Sequence, residues 1–495
     1  MRNTHALPGD QTLRNRTTLR IPFVIAMTVL AIAGCGGSSS TMPPPNPGTK
    51  TKVTVLITST ANDQLAAFDM RILGMALSDG VSSVSLFTIP AGNPNPSLVS
   101  EFIHLNGASE PLVSATIPSG TYSSASLTLQ GCQFTTVSTT PADGLKTSFF
   151  SFGQCFPATV NLPAPIQISG SAAVLSLNLQ VSQSYTLTTT NGPNGPTQNY
   201  TINPVLRLTP IPISAHPTNT SNGFITGVDT QIASVNTAQS SLVATTSGGF
   251  SVDVAANSST AFQGIAGFSS LAAGALTNLD MVLQPDGSLL ATRIEVSDST
   301  ATGDLNGPWT SATARPENFV ILADNCFLPA SAPECDSAVQ LSAGESFAVS
   351  GQFTNLANLP FDVLFNSSTI FLGQKVSNYW SGMRTPQGDP ISTTAVLSPQ
   401  TINGTVTSMS SMNGFSVYTV SLAPYDVIPV TQSVSGSFAP ITNPSVVTVY
   451  ADSSAQLLTT STIGVGSVVR FRGVIFDDNG VLRMDCQEIL DGVAE

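Results

Sequence analysis

Few residues in this 495-residue chain have side chains suited to chemistry. After the first 34 residues the only imidazoles are His104, in "EFIHLNGASE", and His216, in a Pro/Thr/Ser/Asn stretch. A Ser-His-Asp relay would have to recruit one of these two isolated rings. No Gly-x-Ser-x-Gly elbow, His-Glu-x-x-His, P-loop or Gly-x-Gly-x-x-Gly pattern stands in that part of the chain. Paired carboxylates could come from Asp477 and Asp478, or from Asp280 and Asp286. A glycosidase needs two carboxylates facing one cleft, whereas adjacent acids at hairpin tips are ordinarily turn formers. "DDNG" at 477–480 has oxygen ligands suited to calcium, yet the remaining acids of a twelve-residue loop are missing. No metal, no cofactor and no catalytic residue is therefore expected. Trp309, Tyr379 and Trp380, the last two in "NYWSGM", are the candidate ligand-binding aromatics, since sugar rings stack on flat side chains. The competing role for both tryptophans is filling a module core.

The cysteines carry more information. Cys132 and Cys155 flank one insertion, and Cys326 and Cys335 flank another; both pairs are expected to form disulfides if the compartment is oxidising. Metal binding is the rival role, but there is no Cys-x-x-Cys and neither histidine is near a pair. Cys486 is left over and reads as a buried free thiol.

Cys35 stands apart from these five. Arg2, Arg14, Arg16 and Arg20 precede the apolar run 21–33, which is too short to span a bilayer comfortably and has the layout of a signal peptide. Ile32, Ala33, Gly34 and Cys35 resemble the bacterial lipoprotein lipobox, and that resemblance implies diacylglycerol, and palmitate, on the Cys35 thiol. Stable anchoring takes more than one acyl chain, which a lipoprotein N-terminus supplies. Residues 35–52, with a Gly/Ser run followed by Pro43 to Pro45, then read as a tether. Gly36 and Gly37, with no aspartate after the cysteine, imply the outer membrane in a Gram-negative host.

Composition narrows the function classes. The formal charge of -13 becomes -16 once residues 1–34, with four arginines and one aspartate, are removed. On charge alone an acidic chain disfavours phosphate backbones, so no nucleic-acid partner is expected. Charged residues make up only 9%, apolar residues 41%, and Ser, Thr, Gly and Pro are abundant, which suits short strands with polar turns. The expected fold class is all-β.

Alternation supports this. In "VLSLNLQVS", Leu175, Leu177, Leu179 and Val181 share one face, the pattern of a half-buried antiparallel strand. After a turn at Pro118 to Gly120, Ala125, Leu127 and Leu129 alternate with Ser124, Ser126 and Thr128. "KVTVLITST", "FDMRILGMAL", "IPSGTY" and "INPVLRLTP" together resemble the bacterial lipoprotein domain of unknown function 4382, over residues 53–214, about a third of the chain. The resemblance implies a β-sandwich on the cell envelope and no established activity. The family's Thr-Asp-x-Pro loop is replaced here by Ser59 to Asp63.

Beyond the linker at 216–222 a pattern recurs: "GFSVDVAANSSTAF", "PFDVLFNSSTIF" and "VVTVYADSSAQL" each read as an alternating strand ending in Ser-Ser. The first and last copies also share a Gly-entered strand and a hairpin, at Asp286-Gly287 and Asn479-Gly480, suited to positive φ. This order is similar to the domain of unknown function 5666, a small OB-like barrel. The two resemblances together imply a β-sandwich followed by two or three small OB-like β-barrel modules, at 223–299 and 404–495, with a degenerate copy at 306–403 that carries the Cys326/Cys335 insertion and lacks an Asp-Gly hairpin. The combined expectation is a non-catalytic, lipid-anchored cell-envelope protein acting by binding or structural display. Its expected partners are the membrane, through the lipid, and an envelope polysaccharide or protein. Carbohydrate binding at the surface and polysaccharide hydrolysis are the alternatives.

Overall fold

In a computed structural model of the chain, the described residues are 49–60, 65–89, 100–105, 108–137, 145–192, 195–211, 224–296, 301–305, 318–326, 338–384, 390–424, 426–432, 441–457 and 462–492. They belong to one unit, residues 45–495. Cys35, His216, Trp309 and Cys335 lie outside the described residues, as do the side chains of Cys132, Cys155, Cys326, Tyr379 and Trp380.

The fold is all-β. The first part contains β1 (Lys50–Ser59), β2 (Leu65–Ser78), β3 (Ser83–Thr88), β4 (Ser100–Glu101), β5 (Glu110–Pro118), β6 (Gly120–Tyr122), β7 (Ser124–Val137), β8 (Leu145–Asn161), β9 (Ile166–Ile168), β10 (Ala172–Leu179), β11 (Tyr185–Gly192), β12 (Gly195–Ile202) and β13 (Val205–Ile211). The main sheet runs β3-β2-β7-β8-β13-β10-β1-β5. Strand β8 pairs antiparallel with β7 along most of its length and parallel with β13 at residues 159–161, so it passes from one layer to the other. Val53, Val55, Ile57, Leu175 and Leu177 of one layer meet Phe68, Met70, Ile72, Leu127 and Leu129 of the other in a single core, which makes this part a sandwich. In "IPSGTY" the Tyr122 hydroxyl donates to the Pro118 carbonyl at 2.8 Å and ties the corner together.

The strand at 172–179 differs from expectation in two ways. It pairs parallel with β1 as well as antiparallel with β13. Its second face is also covered: Ser176 is buried, and Val174 joins Leu56 and Ile211 in the apolar cluster of the next module. Alternation shows that one face is apolar; it does not show whether a neighbouring domain covers the other.

Three barrels follow. The first contains β14 (Phe224–Asn236), β15 (Ser241–Thr246), β16 (Ser251–Ala255), β17 (Ala261–Gln263), β18 (Leu276–Leu283) and β19 (Leu289–Val296). The second contains β20 (Ala301–Leu305), β21 (Asn318–Cys326), β22 (Ala338–Val349), β23 (Lys375–Arg384) and β24 (Pro390–Leu397). The third contains β25 (Gln400–Met412), β26 (Phe415–Leu422), the short helix α1 (Val427–Gln432), β27 (Val446–Leu457), β28 (Val468–Asp478) and β29 (Val481–Asp491). The rings run β14-β15-β16-β19-β18, β20-β21-β22-β24-β23 and β25-β26-β27-β29-β28. With β17, which pairs only with β19, left out of the count, the order of the ring strands is 1-2-3-5-4 in all three, and strands 3 and 5 are parallel each time. That connectivity is the five-stranded OB-like arrangement. The two expected hairpins have their positive φ, 75° at Gly287, 54° at Asn479 and 84° at Gly480.

One expected strand is absent. "PFDVLFNSSTIF", aligned by sequence with β16 and β27, is irregular backbone within residues 350–374, and strand 3 of the second barrel is instead β22. Phe365 and Ile370 of this segment are buried in the second barrel's core and Phe371 in the third's, without sheet pairing, while Leu364 is exposed. Phe371 sits in the third barrel's core beside Ile428, while Val474 and Phe476 of β28 sit in the second barrel's core. The two barrels therefore share their interiors. Gln374 Nε2 donates to the Ile475 carbonyl at 2.8 Å and Gln432 Nε2 to the Leu372 carbonyl at 2.9 Å across the same junction.

Candidate functional site

His104, the imidazole among the described residues, is clamped in the sandwich. Its Nδ1 lies 2.9 Å from Glu101 Oε2 and its Nε2 2.9 Å from Glu110 Oε1. Strand β4 ends at Glu101 and a single 3-10 turn, Ile103–Leu105, brings the ring back over it. The Glu101 carboxylate also accepts the backbone N–H groups of Phe68, Ile103 and His104, each at 2.7 Å. Burial works against a charged ring, but the two carboxylates, Glu110 foremost, push the His104 imidazole up to about 10. Both ring nitrogens are then donors to carboxylates, and at neutral pH neither is available as a base. The sequence signal was present, an acid three residues before His104 and another six after it in "EFIHLNGASE".

The acids named from sequence serve the backbone or pair with arginine. Asp280 binds Arg293 through contacts of 2.7 and 3.1 Å and accepts the Gly227 N–H at 2.8 Å. Asp286 accepts from the Ser288 N–H and hydroxyl, which holds its carboxyl below the usual range. Asp477 accepts the Gly480 N–H, while burial raises its carboxyl. Asp478 pairs with Arg483. Among the described residues, no group of three or more His, Cys, Asp or Glu could hold a metal ion.

Arg293 also binds Glu295 and Asn278. This cluster continues across module boundaries. Glu295 Oε1 accepts the Gly351 N–H of the second barrel at 3.2 Å, and Thr226 donates to Glu488 Oε1 of the third at 3.4 Å. Burial raises the Glu488 carboxyl, Arg472 at 3.7 Å opposes that rise and Asp280 adds to it. The contacts of the first barrel with the sandwich are similar in kind: Thr54 donates to the Gly287 carbonyl at 3.0 Å, and Phe250 packs edge-on against Phe87.

An aromatic and charged surface occurs on the third barrel. Inward-facing Tyr418, Val420, Val447, Val449, Leu482 and Met484 alternate with outward-facing Val417, Tyr450, Arg483 and Asp485. In OB-like folds the face of strands 2 and 3 is the one that takes ligands. Here that face, β26 and β27, is covered by the chain itself. Leu359 packs with Phe415, Val417 and Tyr450; the Phe361 ring lies 5.1 Å from Tyr450 and 5.8 Å from Phe476. The Arg483 guanidinium stands over Phe361 and Tyr450 and donates to the Tyr450 hydroxyl at 2.6 Å. Sequence reasoning missed this site because its members come from two modules. The corresponding face of the first barrel, β15 and β16, presents Ser241, Val243, Thr245, Ser251 and Asp253.

Of the cysteines named from sequence, Cys486 is free and buried in the third core, where burial pushes its thiol well up. Strand register places Cys155 opposite Gln130 and Cys132 opposite Phe150 on the neighbouring strands β7 and β8. Cys326 ends β21, and Tyr379 and Trp380 pair in register with Thr394 and Ser392.

No family model matches the chain, and no curated protein matches it. Two solved structures are similar in part. Drosophila Unr CSD456 is 11% identical, over 55% of this chain and 98% of that one, with a TM-score of 0.12. A multidomain protein with nucleic acid binding domains from Streptococcus pneumoniae TIGR4 is 10% identical, over 53% of this chain and 72% of that one, with a TM-score of 0.11. Of the partner list drawn from the sequence (the membrane, an envelope polysaccharide or protein, with nucleic acid excluded), the exclusion of nucleic acid is corrected by this similarity and is not retained. Net charge is a whole-chain quantity and does not decide what one face of one barrel accepts. At such TM-scores the likeness carries no inference about the ligand of this chain either.

Proposed function

We propose that the chain is a lipid-anchored protein of the cell envelope, joined through Cys35, that displays a body of four packed modules and acts by binding or scaffolding without catalysis. The observation that carries this reading is how the histidine and the acids named from the sequence are used. His104 is locked between two carboxylates, and Asp280, Asp286, Asp477 and Asp478 are bound to arginine, a turn hydroxyl or backbone. General acid–base catalysis needs a group free to exchange its proton near working pH. Groups engaged with one another and with the backbone hold shape instead. The anchor rests on Ile32 to Cys35 after an apolar run, and the 35–52 tether would hold the body away from its attachment point.

The test is Cys35→Ala in the host cell, followed by fractionation and palmitate labelling. The expected result is loss of label together with release from the envelope or retention of residues 1–34. Labelling that persists in the variant would overturn the anchor. Turnover of any polysaccharide by the purified protein, abolished by changing one carboxylate, would overturn the non-catalytic reading.

A further inference from the structure

One end of the sandwich gathers the start of β1, the turn between β5 and β6, the turn before β10 and the hairpin between β2 and β3. The Ser119 N–H donates to the Thr49 carbonyl at 3.0 Å, and the Thr51 hydroxyl to the Gly170 carbonyl at 2.9 Å. The Ser123 N–H donates to the Ser78 carbonyl at 2.8 Å, which sets the tip of the β2–β3 hairpin, residues 79–82, beside the start of β7. At that tip Val81 is 96% exposed, the most exposed large apolar side chain among the described residues. Hydrogen bonds fix it there. Asp79 Oδ1 accepts the Val81 and Ser82 N–H groups at 2.8 and 2.6 Å, Asp79 Oδ2 accepts the Ser82 hydroxyl at 3.1 Å, and Ser78 Oγ accepts the Gly80 N–H at 3.2 Å. Charge also sets this end apart. From Cys35 onward the chain carries a formal -16, but here Lys50 and Lys52, two of the protein's four lysines, balance two acids. These are Asp79 and, from the first-barrel hairpin that meets Ala172 through Gly287, Asp286, which stands near Lys52.

We propose that this end of the sandwich, with Val81 at its tip, is the face that rests on a phospholipid bilayer; the proposal depends on Cys35 being the lipidated residue. Residues 35–48 lead from Cys35 to β1, so the anchor is tied to the body at this end. At full extension they span at most about 50 Å, which keeps the body near the surface without choosing its orientation. Two properties of the end choose it. A presented apolar side chain gains by entering the boundary between headgroups and acyl chains, and Lys50, exposed at the same end, can lay its stem along that boundary while its ammonium meets phosphate. An anionic leaflet repels the acidic remainder of the body at close range and does not repel a balanced end. Val465, the next most exposed apolar side chain at 67%, lies between β27 and β28 of the third barrel, far along the chain from the tether.

The experiment uses the full lipidated chain, labelled with palmitate and reconstituted into vesicles of phosphatidylethanolamine and phosphatidylglycerol, with and without bromine on the upper part of the acyl chains. Val81→Trp and Val465→Trp are compared, and the emission of the natural chain, from Trp309 and Trp380, is subtracted from each. The indole introduced by Val81→Trp should shift to the blue on reconstitution and lose emission to the bromines; the one introduced by Val465→Trp should do neither. Labelled protein that floats with the vesicles while the Val81→Trp indole stays unquenched overturns the contact and leaves the anchor standing. Equal quenching in the two variants does the same, because a body that touches lipid on any side has no chosen face. Protein that takes no label and does not float overturns the anchor, and the contact falls with it. Both substitutions are at exposed turns, and circular dichroism confirms that each variant is folded before emission is compared.

Discussion

His104 can be turned into a number. With its ring at about 10 in the folded chain and at the ordinary 6.5 when unfolded, the difference corresponds to about 5 kcal/mol at about 1.36 kcal/mol per pH unit. Removing one partner of a buried ion pair costs about 3–5 kcal/mol by an independent route, so the two scales agree. Because the folded value lies above the unfolded one, this stability is complete below pH 6.5, falls between 6.5 and 10, and is gone above 10. His104→Gln leaves Glu101 and Glu110 facing an amide that supplies no charge. Urea unfolding of the natural chain and of His104→Gln, followed by circular dichroism at pH 6 and pH 10.5, measures the effect as a difference between proteins. That difference cancels tyrosines and lysines that titrate in the same window. The variant should be less stable by several kcal/mol at pH 6 and nearly equal to the natural chain at pH 10.5. Histidine-labelled NMR gives the second reading, one imidazole still protonated at pH 9. A His104 ring that titrates near 6.5, or a variant within 1 kcal/mol of the natural chain at pH 6, refutes the clamp.

Phe371→Ala removes a fully buried ring, supplied by the second barrel, from the core of the third. It should cost about 3–5 kcal/mol, and calorimetry should show both barrels destabilised together. Residues 400–495 produced alone would leave Val474 and Phe476 without their cover from the second barrel, so this fragment should bind a hydrophobic dye or aggregate where the full chain does not. Peptide mapping without reductant on protein from an oxidising compartment should recover Cys132 linked to Cys155 and Cys326 to Cys335; each closure could contribute about 3 kcal/mol.

What could be read from the sequence was whatever is local in the chain. Leu127, Leu129, Leu175 and Leu177 declared their strands by alternation, and Asn479-Gly480 declared its hairpin through residues that tolerate positive φ. The use of Ser176, Gln374 and Phe371 could not be read in this way, because each is decided by a neighbouring module. The Ser-Ser repeat shows the limit well. It marked β16 and β27 correctly, yet in the second barrel the same letters fall in the cover of another domain. A short alternating run is apolar on one side whether it pairs in a sheet or lies on a foreign surface, so periodicity cannot separate the two. The clamp at Glu101, His104 and Glu110 was within one short stretch and so was visible in principle. The face built from Phe361, Tyr450 and Arg483 spans more than a hundred residues and was not.

The same distinction bears on how the barrels work. Repeated modules on flexible linkers act through effective concentration, each copy presenting its own face. These barrels have little independent motion available, since Phe371 and Phe476 are exchanged between the second and third, Glu295 and Gly351 join the first to the second, and Thr226 and Glu488 join it to the third. Copies of one fold therefore present unlike faces: the one at β15 and β16 carries Ser241, Thr245, Ser251 and Asp253, while the one at β26 and β27 is aromatic and covered by its neighbour. Avidity from equivalent copies would need like faces, which the first and third barrels do not present. A substitution at Ser251 or Asp253 on β16 should then leave the amide exchange of residues 359–363, packed on β26 and β27, unchanged.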